Sequence, residues 1–258
     1  MKAIILSAGQ GSRLLPLTET MPKCLLPVGD KPLLARQFDA LYGCGIKEIA
    51  IVTGFGSAAV DHCLRSNAKK DLALRSVFNP FFNVADNLAS CWMARHEMDK
   101  DFILLNGDTL FEAAVCERLL DAPNAAVTLA TDHKVRYDAD DMKVRLDGTR
   151  LIEVGKNLEP ENVDGESIGM IRFKHDGPAL FVAVLEQIMR TPNSLSWWFL
   201  RAIGILAERG IVETRSVDGL RWCEVDFPQD LEVARSLFAV TARSREPHRS
   251  DPQIKLVS

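Results

Sequence analysis

The stretch from Ile4 to Pro27 constrains this chain more than any other. It begins in an apolar run, Ala3 to Leu6, with the length of a buried strand. Gly9 and Gly11 follow at once, and Arg13 stands just behind them. Glycines directly after a strand let the backbone turn tightly and aim successive amides at one anion. Arg13 and Lys23 add fixed positive charge to the same loop. A polyphosphate is therefore the expected occupant. Two common phosphate loops fit poorly. A P-loop needs Gly-Lys-Ser/Thr, whereas Gly11 is followed by Ser12 and Arg13. A dinucleotide loop needs a third glycine, where Leu14 stands, and an acid at the end of the second strand, which instead closes on Val52-Thr53-Gly54.

The longer string narrows the choice. Ala8-Gly9-Gln10-Gly11-Ser12-Arg13-Leu14, then Pro16-Leu17-Thr18, Pro22-Lys23 and Leu26-Pro27-Val28, resembles the signature of the nucleoside-triphosphate transferases, which make nucleotide-sugars and CDP-alcohols. The resemblance implies that the loop, with Gly9, Gly11 and Ser12, wraps a triphosphate. It also implies that Arg13 neutralises the triphosphate and that Lys23 sits at the reacting phosphate.

Composition bounds the rest. A chain of 258 residues that is 47% hydrophobic suits one large α/β domain or two small ones. A net charge of −4 argues against a nucleic-acid partner, which asks for a basic face. No apolar run reaches the roughly 18 residues of a membrane span, and the N-terminus lacks the pattern of a signal peptide. The six cysteines form no Cys-x-x-Cys and the five histidines no His-x-x-x-His, which disfavours zinc. Scattered thiols without a leader fit a cytoplasmic protein.

Patterning predicts alternating strands and helices in the first half. Helices are expected over Leu33–Cys44, with Leu34, Phe38 and Leu41 inward, and over Ser57–Ser66, Ala89–His96 and Glu112–Leu120. Strands are expected over Glu48–Thr53, Leu72–Phe78, Phe102–Leu105 and Ala125–Ala130. Such alternation predicts a Rossmann-like α/β fold with a mostly parallel, mixed sheet and helices on both faces. The pattern then changes. Met142–Leu146, Leu151–Val154 and Ser167–Phe173 read as strands with few helices between, a β-rich acceptor subdomain. Phe181, Val184, Leu185 and Ile188 form a helical stripe, and further helices are expected over Ser196–Glu208 and Asp230–Val240, with strands Ile211–Val217 and Trp222–Val225. The expected organisation is a single domain over 1–240, with a nucleotide half to about 131 and an acceptor half from 132, followed by a polar tail over 241–258.

Two acids draw attention. Asp108 follows an apolar strand directly, at the edge where open parallel sheets bind ligands. The Asn106-Gly107 before it also reads as a hairpin turn. In Trp222-Cys223-Glu224-Val225-Asp226, alternation puts residues 222, 224 and 226 on one face; Asp226 also reads as the cap of the next helix. Trp-x-Glu-x-Asp followed by Gln229-Asp230-Leu231 resembles the family's second metal motif. Asp108 and Asp226 together then suit Mg²⁺, which takes one or two carboxylates and leaves its other positions to water and phosphate.

A base pocket is expected from Leu6, Ala8 and Gly9 on one side and Asn87 to Ser90 on the other. Asn87 followed by Ser90 resembles the CTP-using branch, although Asn87 also reads as a helix cap. Asp141-Met142-Lys143-Val144, Val154-Gly155-Lys156 and Gly165-Glu166-Ser167-Ile168-Gly169 resemble the acceptor half of the phosphocholine and aminoethylphosphonate cytidylyltransferases. By that resemblance Lys156 would hold an acceptor phosphate and Glu166 a cationic head group; an exposed surface charge is the other reading of each. Trp198, Ala202, Ile205 and Leu206 fall on one helical stripe, which makes Trp198 a core residue and leaves Trp197 facing elsewhere, either to cover an amine or to pack under a loop or at a dimer contact. The reaction implied is Mg²⁺-dependent transfer of CMP to a small phosphorylated acceptor. A sugar-1-phosphate nucleotidyltransferase and a non-catalytic nucleotide-binding domain are the alternatives, and a homodimer is left open.

Overall fold

The computed structural model of the protein describes residues 1–238. The tail expected over 241–258 lies outside them, as do the last two residues of the final expected helix. In chain order the elements are β1 (Lys2–Ser7), β2 (Pro27–Val28), β3 (Lys31–Pro32), α1 (Leu33–Gly43), β4 (Glu48–Thr53), α2 (Ser57–Ser66), β5 (Ala73–Phe78), α3 (Asn87–Met93), β6 (Phe102–Asn106), β7 (Thr109–Phe111), α4 (Ala113–Leu120), β8 (Val127–Asp132), β9 (Lys143–Asp147), β10 (Arg150–Gly155), β11 (Gly165–Phe173), α5 (Gly177–Ile188), α6 (Leu200–Glu208), β12 (Val212–Ser216), β13 (Trp222–Glu224) and α7 (Pro228–Leu237).

Alternation along the strands builds the layers. In β1 every residue is buried, because both faces are covered. Ile4 and Leu6 point with Val52, Leu104 and Leu129 into a core shared with α3, α5 and α6. Ala3 and Ile5 point with Ile51, Leu105 and Ala130 into a second core under α1, α2 and α4. The sheet order is β5-β4-β1-β6-β11-β8-β12-β10-β9. The strands β5, β4, β1 and β6 are parallel, and β11 runs against its neighbours β6 and β8. The far end curls round: β9 also pairs with the start of β11 at Gly165 and Glu166, so the strands of the second half close on themselves while continuing the same sheet.

Arg172 interrupts the expected apolar run of β11, yet it is fully buried. Its guanidinium donates to the carbonyls of Leu119, Leu120, Ala122 and Pro123 and to Thr128 Oγ1, at 2.6–3.0 Å. The last carbonyls of a helix have no partner within it and carry partial negative charge. Arg172 therefore caps α4 from inside the protein.

One expected helix starts late. Instead of running from Ser196, α6 begins at Leu200. Ser194–Ser196 make a 3-10 turn and Trp197 is extended, at φ −104° and ψ 153°. Backbone bonds hold that segment against α3: Asp86 N–H donates to the Leu195 carbonyl and Leu88 N–H to the Trp197 carbonyl. Helical periodicity does not apply across this stretch, so the two tryptophans exchange places. Trp198, expected in the core, is 41% exposed, whereas Trp197 packs partly buried against the core.

Candidate active site

The loop after β1 is shaped by one glycine. Gly11 adopts φ +78°, the left-handed region that side chains avoid, and a Cβ there would stand 2.8 Å from Lys23 Cβ. The bare backbone lets the Lys23 stem cross it. Thr18 Oγ1 donates to the Gly11 carbonyl at 2.8 Å, which ties the loop to its own return. A small third core anchors it from below. Leu14, Leu26 and Val28 of the loop pack with Leu110, Val225, Leu231 and Ala234. Leu110 and Val225 are near neighbours of Asp108 and Asp226, so one apolar cluster positions the cations and the acids together.

The two acids meet because β7 pairs with β13. Thr109 lies opposite Glu224, and Val225 N–H donates to the Asp108 carbonyl at 3.2 Å. The hairpin reading of Asn106-Gly107 fails here, since β7 pairs with β13 and not with β6. Gly107 is needed for close approach instead: a Cβ would stand 2.7 Å from the Leu6 carbonyl oxygen. The cap reading of Asp226 also fails. Asp230 Oδ2 accepts from the Asp226 and Phe227 amides at 3.0 and 2.7 Å. That leaves the Asp226 carboxylate free to face the loop.

Lys23 Nζ lies 2.6 Å from Asp108 Oδ2 and 2.7 Å from Asp226 Oδ1. Arg13 Nη1 is 3.5 Å from Asp226 Oδ2 and 3.4 Å from Asp140 Oδ2. Burial lowers the Lys23 pKa, but the charges of Asp108 and Asp226 outweigh it and hold the ammonium above its ordinary value. Burial, with Asp108 and Asp226 close by, pushes the Glu224 carboxyl up to about 8.

Arg13, Lys23, Asp108 and Asp226 line a cavity of about 510 Å³ together with Leu6, Ala8, Gly9, Gly11, Ser12, Asn87 and Ser90. All the residues expected for nucleotide, metal and catalysis thus share one wall system. Asn87 is the first residue of α3 and not its cap; its Oδ1 accepts from Phe199 N–H at 3.0 Å and joins α3 to the start of α6. Ser90 Oγ accepts from Asn79 Nδ2 at 3.0 Å. Sequence reasoning missed Ser7, Phe82, Asp86 and Asn106 on the cavity wall. It also missed Gln37, whose Nε2 donates to the Asn106 and Thr109 carbonyls at 2.9 and 2.8 Å and so pins the turn that carries Asp108. The Asn- and aromatic-rich stretch 79–90 was a signal for Phe82 and Asp86; a glutamine in an amphipathic helix gives none.

The three expected acceptor residues are not brought together. Glu166, at the start of β11, lines neither this cavity nor the next and is 3% exposed. Lys134 Nζ reaches its Oε2 at 2.7 Å and Asp141 Oδ1 at 3.0 Å, while Oε1 is buried without a partner. Lys156 and Trp197 line a separate cavity, and the face of Trp197 is already covered by Arg201, whose guanidinium carbon lies 3.9 Å from the ring centroid. The expectation that Trp197 is free to cover an amine is therefore corrected: the chain's own arginine takes that place.

The donor set fits Mg²⁺. Two hard carboxylates line the cavity on either side of Lys23 Nζ, and Asp108 Oδ1 is buried with no hydrogen-bond partner. Among the described residues no cluster of three or more His, Cys, Asp or Glu forms a closed metal cage. An ion that keeps most of its sites for water and phosphate needs no such cage.

The sequence profile described as "Nucleotidyl transferase" matches residues 2–139. CMP-5'-(3-aminopropyl)phosphonate synthase of Streptomyces rubellomurinus is 30% identical over 249 residues, covering 93% of this chain but 39% of that protein. CTP:phosphoglutamine cytidylyltransferase of Campylobacter jejuni is 26% identical, covering 90% of this chain and 98% of that protein. Among solved structures, CTP:phosphocholine cytidylyltransferase from Streptococcus pneumoniae superposes with a TM-score of 0.74 at 20% identity, over 92% of this chain and 98% of the other. That likeness establishes the same fold.

Proposed function

The chain belongs to the nucleotidyl transferase family, and we propose that it transfers CMP from CTP to a phosphate or phosphonate oxygen of a small non-sugar acceptor, with release of pyrophosphate. The observation that carries this reading is the convergence of Arg13, Lys23, Asp108 and Asp226 on the cavity that Asn87 and Ser90 close from the other side. The choice of cytidine rests on the relatives named for CTP or for a CMP product.

In the proposed step an acceptor oxygen attacks the α-phosphorus. The new P–O bond forms as the bond to the bridging oxygen breaks, and pyrophosphate leaves with that electron pair. No bond to the protein is needed, so the work is positioning and charge neutralisation. The amides of Gly9, Gly11 and Ser12 would cradle the triphosphate, and Arg13 would neutralise its outer phosphates. Lys23 would meet the charge that grows on the α-phosphoryl group. Leu6, Ala8, Asn87 and Ser90 would enclose the base, with the Ser90 hydroxyl oriented by Asn79. Asp108 and Asp226 would hold Mg²⁺, which when bound polarises phosphoryl oxygens and offsets their charge.

Pyrophosphate release measured with CTP, UTP, dTTP and GTP, each against phosphocholine, aminoethylphosphonate and sugar-1-phosphates, tests the reading. The highest kcat/KM is expected with CTP and a non-sugar acceptor. A maximum with UTP or dTTP and a sugar-1-phosphate would replace it with the sugar-nucleotide reading.

A further inference from the structure

A second cavity, of about 250 Å³, lies between the end of β10 and the start of α6. It is too small for a nucleotide and suits a short organic chain. Met142, Val154 and Leu200 give it apolar walls, and two indoles complete them. Lys156 Nζ lies 4.3 Å from the Trp198 ring centroid and Arg201 lies over Trp197. No Asp or Glu lines the cavity. Lys156 has an ion-pair partner in Asp140, at 3.1 Å. Among the described residues Arg201 has none; its cation rests only on the indole face.

The arrangement selects an anion. A cationic head group entering here would meet two like charges, each already seated on one of the two indoles. A guanidinium stacked on an indole is fixed in orientation while its in-plane N–H groups stay available, and that fork matches a carboxylate bidentately. The cavity also adjoins the reacting centre. The Asp140 carboxylate that pairs with Lys156 has its other oxygen 3.4 Å from Arg13 Nη1, and Arg13 lines the first cavity.

Resting on the functional reading above, we propose that the second cavity receives the far end of the acceptor, that this end carries a carboxylate, and that Arg201 binds it with Lys156 alongside. Arg201 is then a specificity-determining residue that touches neither the nucleotide nor the reacting phosphorus.

The test uses three phosphomonoesters of equal chain length, ending in a carboxylate, a hydroxyl or a trimethylammonium group. Initial rates with CTP are measured for the wild type, Arg201→Met and Arg201→Lys. The wild type should show its lowest KM for the carboxylate. Losing a charged hydrogen-bond pair should raise that KM about tenfold to a hundredfold in Arg201→Met. The KM for the hydroxyl acceptor and for CTP should stay within about twofold, and Arg201→Lys should recover part of the loss. Calorimetric titration of the same three acceptors reads the preference without turnover. Silence of all three in the CTP assay therefore counts against the functional reading alone. Equal affinity for the carboxylate and hydroxyl acceptors in the titration, or an equal rise in KM for all three in Arg201→Met, overturns the Arg201 assignment.

Discussion

At the scale of single residues, the site rests on charges that hold one another. Lys23 sits between Asp108 and Asp226, and each of the three leaves the others unbalanced when it is removed. Asp108→Asn and Asp226→Asn keep the shape and lose the charge. Each is expected to abolish Mg²⁺-dependent turnover while circular dichroism stays as in the wild type; near-wild-type rates at limiting Mg²⁺ in either variant would remove the metal assignment. Lys23→Ala should lower kcat on the order of 10²–10³-fold, as loss of a single electrostatic donor does, and should change CTP binding less. A change confined to KM for CTP would make Lys23 a binding residue only. Much of this was legible before folding, because Gly9, Gly11, Arg13 and Lys23 are fixed types at fixed spacing. Gln37 was not, since its role depends on which loop α1 happens to face. Trp197 and Trp198 were misassigned because a helical period was extended over four residues, 196–199, that the contact with α3 holds out of the helix.

At the scale of elements, the short ribbon of β7 and β13 and the cluster beneath it do what a long strand pair would do elsewhere. Leu110, fully buried in that cluster, lies between the acids and the loop. Leu110→Ala should cost about 2–5 kcal/mol of stability and should lower kcat as well, because the cavity it leaves lets Asp108 and Asp226 drift from Lys23. Denaturant titration and turnover measured on the same sample check both halves; a stability loss with unchanged kcat would show that the ribbon holds its geometry alone. Arg172 acts one layer away. Arg172→Met would strand several carbonyls at the end of α4, each worth about 1–3 kcal/mol when buried without a partner. A drop of at least about 3 kcal/mol in urea unfolding is expected, and a drop below about 1 kcal/mol would mean that water satisfies those carbonyls. Neither element was fully readable in advance. The strand at 222–224 was expected, but its three-residue partner 109–111 is too short to show a period, and an arginine within a strand carries no mark of the helix end that it caps.

At the scale of the whole molecule, the strands of the first half and those of the second share one sheet, and Glu166 stands where β9 closes onto β11. Burial raises its carboxyl from 4.5 to about 7, against the pull of Lys134 and with the push of Asp141. Between those two values the folded protein holds a proton that the unfolded chain has released. The contribution of Glu166 to stability should therefore fall as pH rises from about 4.5 to about 7 and level off above it, and Glu166→Gln should remove that part of the slope. Unfolding free energies at about pH 5 and about pH 7.5 compare the two proteins; an unchanged slope in the variant would assign the effect to other groups. The layers were legible in the sequence, since the continuous apolar runs of β1, β4 and β6 report two covered faces. The closure of the sheet was not, because it depends on a register that no single strand encodes. The most direct test of the site and the reaction together is phosphorus-31 NMR of a mixture of protein, CTP, Mg²⁺ and acceptor. The expected spectrum shows pyrophosphate and a diphosphate-linked cytidine product growing in equal amounts, with neither formed by Asp108→Asn. The same product from Asp108→Asn, or pyrophosphate released from UTP or dTTP but never from CTP, would contradict it.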